Sequence, residues 1–154
     1  MSGAIRRGGE KQDMNSHSTA AGPRGQLDAA LEIAKNYLAA MEERDLERAA
    51  TFVSPDASFV FPGGKRPQGL AAIVAGSATR YQFVGKIIDR YDAAAAADGG
   101  VTVYVLGTLH GRWLDGRTFE GIRFVDRFEI RDGKIRSQEV WNDAGEVRCQ
   151  LGVK

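Results

Sequence analysis

Cysteine, histidine, long apolar runs and an excess of either charge are all scarce in this chain of 154 residues. One cysteine, Cys149, excludes an internal disulfide and a cysteine-built zinc site. The two histidines, His17 and His110, show no paired-ligand spacing, so no metal is expected. No apolar stretch approaches the ~20 residues of a membrane span, and the first residues lack a secretory-signal pattern, so a cytoplasmic location without membrane contact is expected. With 21 basic and 20 acidic side chains, the net charge of +1 supplies no case for nucleic acid. No glycine-rich phosphate loop follows a strand, which removes a nucleotide site. Aromatic residues are absent before Tyr37, although seven Phe, four Tyr and two Trp follow.

What is present divides the chain. Residues 1–25 hold five glycines, four basic and two acidic residues and little apolar mass, and are expected to form a flexible tail. That leaves 17 basic and 18 acidic residues for the rest, a body of net charge −1. The length fits one domain, placed at 26–146, with a short C-terminal tail at 147–154. From Leu27 the apolar period is helical: Leu27, Leu31, Ala34, Leu38 and Met41 form one stripe, with Ile33 and Tyr37 on its flank. Asp45 is placed to cap a second short helix, which Ser54-Pro55-Asp56 ends. A strand is expected at Ala57–Phe61, a breaker-rich loop from Pro62 to Pro67, and a third helix at Leu70–Ala78.

The second half reads as sheet. Asp98-Gly99, Asp115-Gly116 and Asp132-Gly133 recur 17 residues apart, and Asp-Gly favours hairpin turns in which both central residues have positive φ. Between them lie β-rich runs, Phe83–Tyr91, Val101–Trp113, Thr118–Ile130 and Lys134–Trp141, expected as a four-stranded antiparallel meander. Helices followed by a meander give an α+β fold, three N-terminal helices on a curved, mostly antiparallel sheet. A sheet curled around helices encloses a pocket suited to a ligand.

Period two along Thr118–Ile130 puts Asp126 on the same face as Ile122, Phe124 and Phe128. A carboxylate there must be paired, hydrogen-bonded or protonated, so Asp126 is either a functional acid or a structural partner of an arginine or backbone group. His110 is the one imidazole in the body that can carry protons near neutral pH, unless its parity faces solvent. Tyr37, on the helix flank facing the sheet, is either a plain core tyrosine or a hydrogen-bond donor to a pocket acid. Phe59, Phe61, Tyr104, Phe124 and Trp141 are the candidates for shaping the cavity. Cys149 carries no base pattern beside it.

The segments "RDLERAATFVSPDASFVFPGG" and "GTLHGRWLDGRTFEGIRFVDRFEIRDGKIRSQEVWND" resemble the nuclear transport factor 2-like superfamily, and within it the SnoaL-like branch that is itself similar to ketosteroid isomerase. The resemblance spans Leu27 to Asp143. It implies a cone of helices wrapped by a curved sheet, a deep apolar cavity, and a homodimer formed through the outer sheet face. "NYLAAMEERDL" places Tyr37 on the isomerase's oxyanion-hole tyrosine, and "FVDRFEI" places Asp126 on its oxyanion-hole aspartic acid, a carboxylic acid kept neutral to donate a hydrogen bond. In SnoaL-like polyketide cyclases the same aspartate is the acid/base. The isomerase's general base precedes a proline; here Phe61 precedes Pro62, and phenylalanine takes no proton. The Arg-x-Asp pattern of the superfamily's epoxide hydrolases is not visible in Val101–Trp113.

Two functional expectations result. One is a cofactor-independent isomerase, cyclase or dehydratase acting on a small, mostly apolar carbonyl compound, with Asp126, Tyr37 and His110 as its chemistry. The other is a non-catalytic ligand-binding or protein-interaction module.

Overall fold

The computed structural model describes residues 22–152. Most of the expected tail, residues 1–21 with His17, lies outside the described residues. Pro23–Gly25 belong instead to helix α1 (Pro23–Glu42), because a proline in the first turn lacks only an N–H that has no helical partner there. The apolar stripe buries Ala30, Ala34, Tyr37, Leu38 and Met41 against the sheet. Helix α2 (Leu46–Ala50) is capped as expected: the Asp45 carboxylate accepts from the Arg48 N–H at 3.0 Å.

Strand β1 (Val53–Val60) starts earlier than its sequence suggests and runs through Pro55. Proline is tolerated there because β1 is an edge strand, and its pairing is irregular between Val53 and Ser58. Helix α3 (Leu70–Ala78) falls where the spacing predicts it. The sheet continues through β2 (Tyr81–Ala95), β3 (Val101–Trp113), β4 (Thr118–Arg131) and β5 (Lys134–Asn142). Its order is β1-β5-β4-β3-β2. The four later strands form the antiparallel meander, and β1 adds in parallel to β5. The chain is thus α+β, with helices packed on a curved, unclosed five-stranded sheet.

The three Asp-Gly turns are not equivalent. Only at the last do both central residues have positive φ, Asp132 at 52° and Gly133 at 69°. At the other two the glycine alone does, Gly99 at 88° and Gly116 at 89°, in longer loops, residues 96–100 and 114–117. There the aspartate serves through its side chain, as Asp98 accepts from Gly100 N–H and Asp115 from Arg117 N–H. β2 and β3 approach closely at two glycines: a Cβ on Gly107 or Gly111 would collide with the backbone carbonyls of Ile87 and Phe83.

Residues 144–151 form helix α4 (Ala144–Leu151) rather than the expected tail from 147. Its Ala144 is buried, Val147 packs on the core, and Arg148 lies 5.8 Å from the Trp113 ring centroid. That end of the core is aromatic: Trp113 lies 5.3 Å from Tyr81 and 4.3 Å from Phe119, centroid to centroid. Cys149 is an exposed free thiol. No helix among the described residues is long and apolar enough to cross a membrane.

Candidate functional site

Between α1, α3 and the concave face of the sheet lies a cavity of about 580 Å³. Its wall is mainly apolar, with Leu38, Met41, Ile73, Val84, Ile88 and Leu109 among its residues. At that size it suits a small organic molecule.

Four side chains concentrate polarity on this wall. Asp126, on β4 opposite Val105 and Val140, is fully buried. One of its oxygens, Oδ2, accepts from the Lys86 ammonium, and the other, Oδ1, has no partner. Lys86 also lies 4.6 Å from the centroid of the Phe124 ring, in cation–π contact. The buried carboxylate therefore has a counter-charge, which offsets part of the cost of removing it from water. The partner is a lysine from β2, not the arginine or backbone group expected of a structural role. Tyr37, 1% exposed, donates from its hydroxyl to Gln138 Oε1 at 2.8 Å and meets Phe128 edge-on at 5.7 Å. Burial first, and the negative charge of Asp126 second, push the Tyr37 phenol well above its ordinary range. It stays protonated and able to donate.

Of the expected site residues, Asp126, Tyr37, Phe61 and Phe124 line this cavity together. The others do not. Phe59 is buried beside Gln138 in the β1–β5 ladder, away from the cavity wall. Tyr104 and Trp141 lie on the convex face, 38% and 52% exposed, because each alternates with an inward valine, Val103 or Val140. His110 shares the parity of Tyr104 and lies outside the cavity lining. Its ring packs 5.5 Å from that of Phe83. It borders the cavity only through Gly85, where a Cβ would lie 2.7 Å from His110 Nε2 and 2.9 Å from Glu42 Oε1. Among the described residues, no group of three His, Cys, Asp or Glu side chains is placed to hold a metal ion.

Lys86, Gln138, Asn142 and Glu42 line the cavity without having been singled out. A signal existed for three of them. Lys86 falls between Val84 and Ile88 on one strand parity, and Gln138 and Asn142 flank Val140 on another.

Residues 34–138 match the family described as the SnoaL-like domain. No curated protein matches the chain significantly. Among solved structures, the fold is shared with an NTF2-like protein of unknown function from Burkholderia pseudomallei, at 18% identity and a TM-score of 0.66, over 79% of this chain and 95% of that one. TerC, co-crystallised with polyporic acid, is 24% identical with a TM-score of 0.64, over 80% of this chain and 98% of TerC. ActVI-ORFA from Streptomyces coelicolor is 20% identical with a TM-score of 0.57, over 75% and 96%.

Proposed function

The chain belongs to the SnoaL-like domain family, and from that premise we propose a cytoplasmic homodimer whose cavity binds a mostly apolar carbonyl compound and moves a proton on it without a cofactor. The observation that carries this reading is Asp126: a buried carboxylate on the cavity wall with one oxygen held by Lys86 and the other unpartnered. Asp126 Oδ1 takes a proton from the carbon beside the carbonyl; the electron pair of that C–H bond forms a C=C bond as the carbonyl π pair moves onto oxygen. The Lys86 ammonium stabilises the resulting enolate, and the protonated Tyr37 hydroxyl adds a second donor by turning from Gln138 Oε1 to the enolate oxygen. Return of the proton from Asp126 to another carbon gives isomerisation, attack of the enolate on a second carbonyl with the proton passed to the new alkoxide gives cyclisation, and departure of a β-hydroxyl as water with that proton gives dehydration. His110 has no direct part, and His110→Ala is expected to retain turnover. That TerC was co-crystallised with polyporic acid supports a small organic ligand for this fold.

The test is α-proton exchange of 2-tetralone in D2O, followed by NMR. The expected result is acceleration by the wild type and a loss of about 100-fold or more in Asp126→Asn, the usual scale of a general base. A wild-type rate equal to that of buffer, with the ketone demonstrably bound, overturns the catalytic reading. One observation favours that outcome: apolar Phe61 lines the cavity at the position where the similar isomerases carry their base, which suits binding without turnover.

A further inference from the structure

The cavity lining is not apolar throughout. Five cationic side chains line the cavity from separate segments: Lys35 on α1, Arg44 in the α1–α2 turn, Lys65 and Arg66 in the loop before α3, and Arg80 between α3 and β2. One acid, Glu42, stands among them. Lys35 pairs with Glu32, but none of Arg44, Lys65, Arg66 and Arg80 forms an ion pair among the described residues. Inside the cavity Lys86 is already balanced by Asp126. Four unpaired cations around one cavity repel each other, while the body of the chain carries a net charge of −1. Their field is focused on the cavity by its low-dielectric walls. A neutral apolar ligand makes no use of that field, whereas a ligand with a fixed anion relieves the repulsion and is drawn in.

We propose that the cavity selects an apolar carbonyl compound bearing a carboxylate or an equally fixed negative group, with the apolar body on the apolar wall and the anion held by Arg44, Lys65, Arg66 and Arg80. This rests on the cavity being the ligand site and adds the charge class of the ligand.

Two probes with the same skeleton test it, 8-anilinonaphthalene-1-sulfonate and neutral N-phenyl-1-naphthylamine, titrated by fluorescence into the full-length chain. At low salt the sulfonate is expected to bind about tenfold tighter, and to lose that advantage as salt shortens the screening length below ~10 Å. Arg66→Gln/Arg80→Gln, a surface pair, is expected to weaken the sulfonate about tenfold and leave the neutral amine within twofold. Equal wild-type affinities overturn the proposal while leaving the cavity as a binding site. So does a sulfonate affinity indifferent to the double variant, which locates that probe elsewhere. Failure of both probes to bind removes the cavity reading and this inference with it.

Discussion

Asp126 and Lys86 are useful to each other only while both are present. Replacing Lys86 with methionine leaves a fully buried carboxylate without its counter-charge, and the expected loss of stability is about 3 kcal/mol or more. Adding Asp126→Leu to that variant is expected to restore most of the loss, read as a double-mutant cycle in urea unfolding. Tyr37→Phe leaves Gln138 Oε1 buried without its donor, at a cost of about 1–2 kcal/mol. The pH dependence has a definite sign. The folded chain holds the Tyr37 proton above the ordinary phenol range, whereas the unfolded chain releases it from about pH 10. The unfolded state then binds fewer protons, so stability falls as pH rises beyond that point. Tyr37→Phe is expected to flatten this fall, measured by thermal unfolding across the alkaline range.

Among the elements, β3 lies so close to β2 that two of its positions have room only for glycine. Gly107→Ala places a methyl group against the Ile87 backbone carbonyl, which cannot move without parting β2 from β3. The expected cost is about 2 kcal/mol or more, seen as a lower melting temperature. Gly85→Ala meets only the ends of two side chains, His110 and Glu42, and is expected to cost less. The elements themselves were largely legible in the sequence. The helical stripe from Leu27, the Asp45 cap and the meander follow from periodicity and turn chemistry. Pro55 misled because whether a proline ends a helix or sits in an edge strand depends on neighbours far along the chain. Helix α4 was missed because its apolar content is small and its place is set by packing on Trp113. The site was half legible. Parity put Asp126 inward, and resemblance put Tyr37 beside it. Its counter-ion comes from another strand, 40 residues away, and pairing across strands is fixed by register rather than by local pattern.

For the whole molecule, the convex face is the complement of the cavity. Register aligns Leu106, Val125 and Trp141 on β3, β4 and β5, while Ile87 on β2 pairs with Thr108, two residues along β3 from Leu106. Ile87 is 55% and Trp141 52% exposed, and large apolar side chains exposed on one sheet face suit an interaction surface. The proposed homodimer covers it with a second copy. Light scattering is expected to give a mass of two chains at micromolar concentration, and Ile87→Glu/Trp141→Glu a mass of one. A single-chain mass for the wild type removes the dimer without touching the cavity chemistry.

The two tryptophans occupy opposite sides of this architecture, and neither lines the cavity. Trp113 is fully buried in the aromatic end beneath α4, while Trp141 is half exposed on the convex face. The molecule thus carries two built-in optical reporters for separate events. Undocking of α4 reddens the emission of Trp113, and association of two copies blues that of Trp141. Filling of the cavity reaches Trp113 only through Tyr81, which lines the cavity and stacks on that indole, and leaves Trp141 untouched.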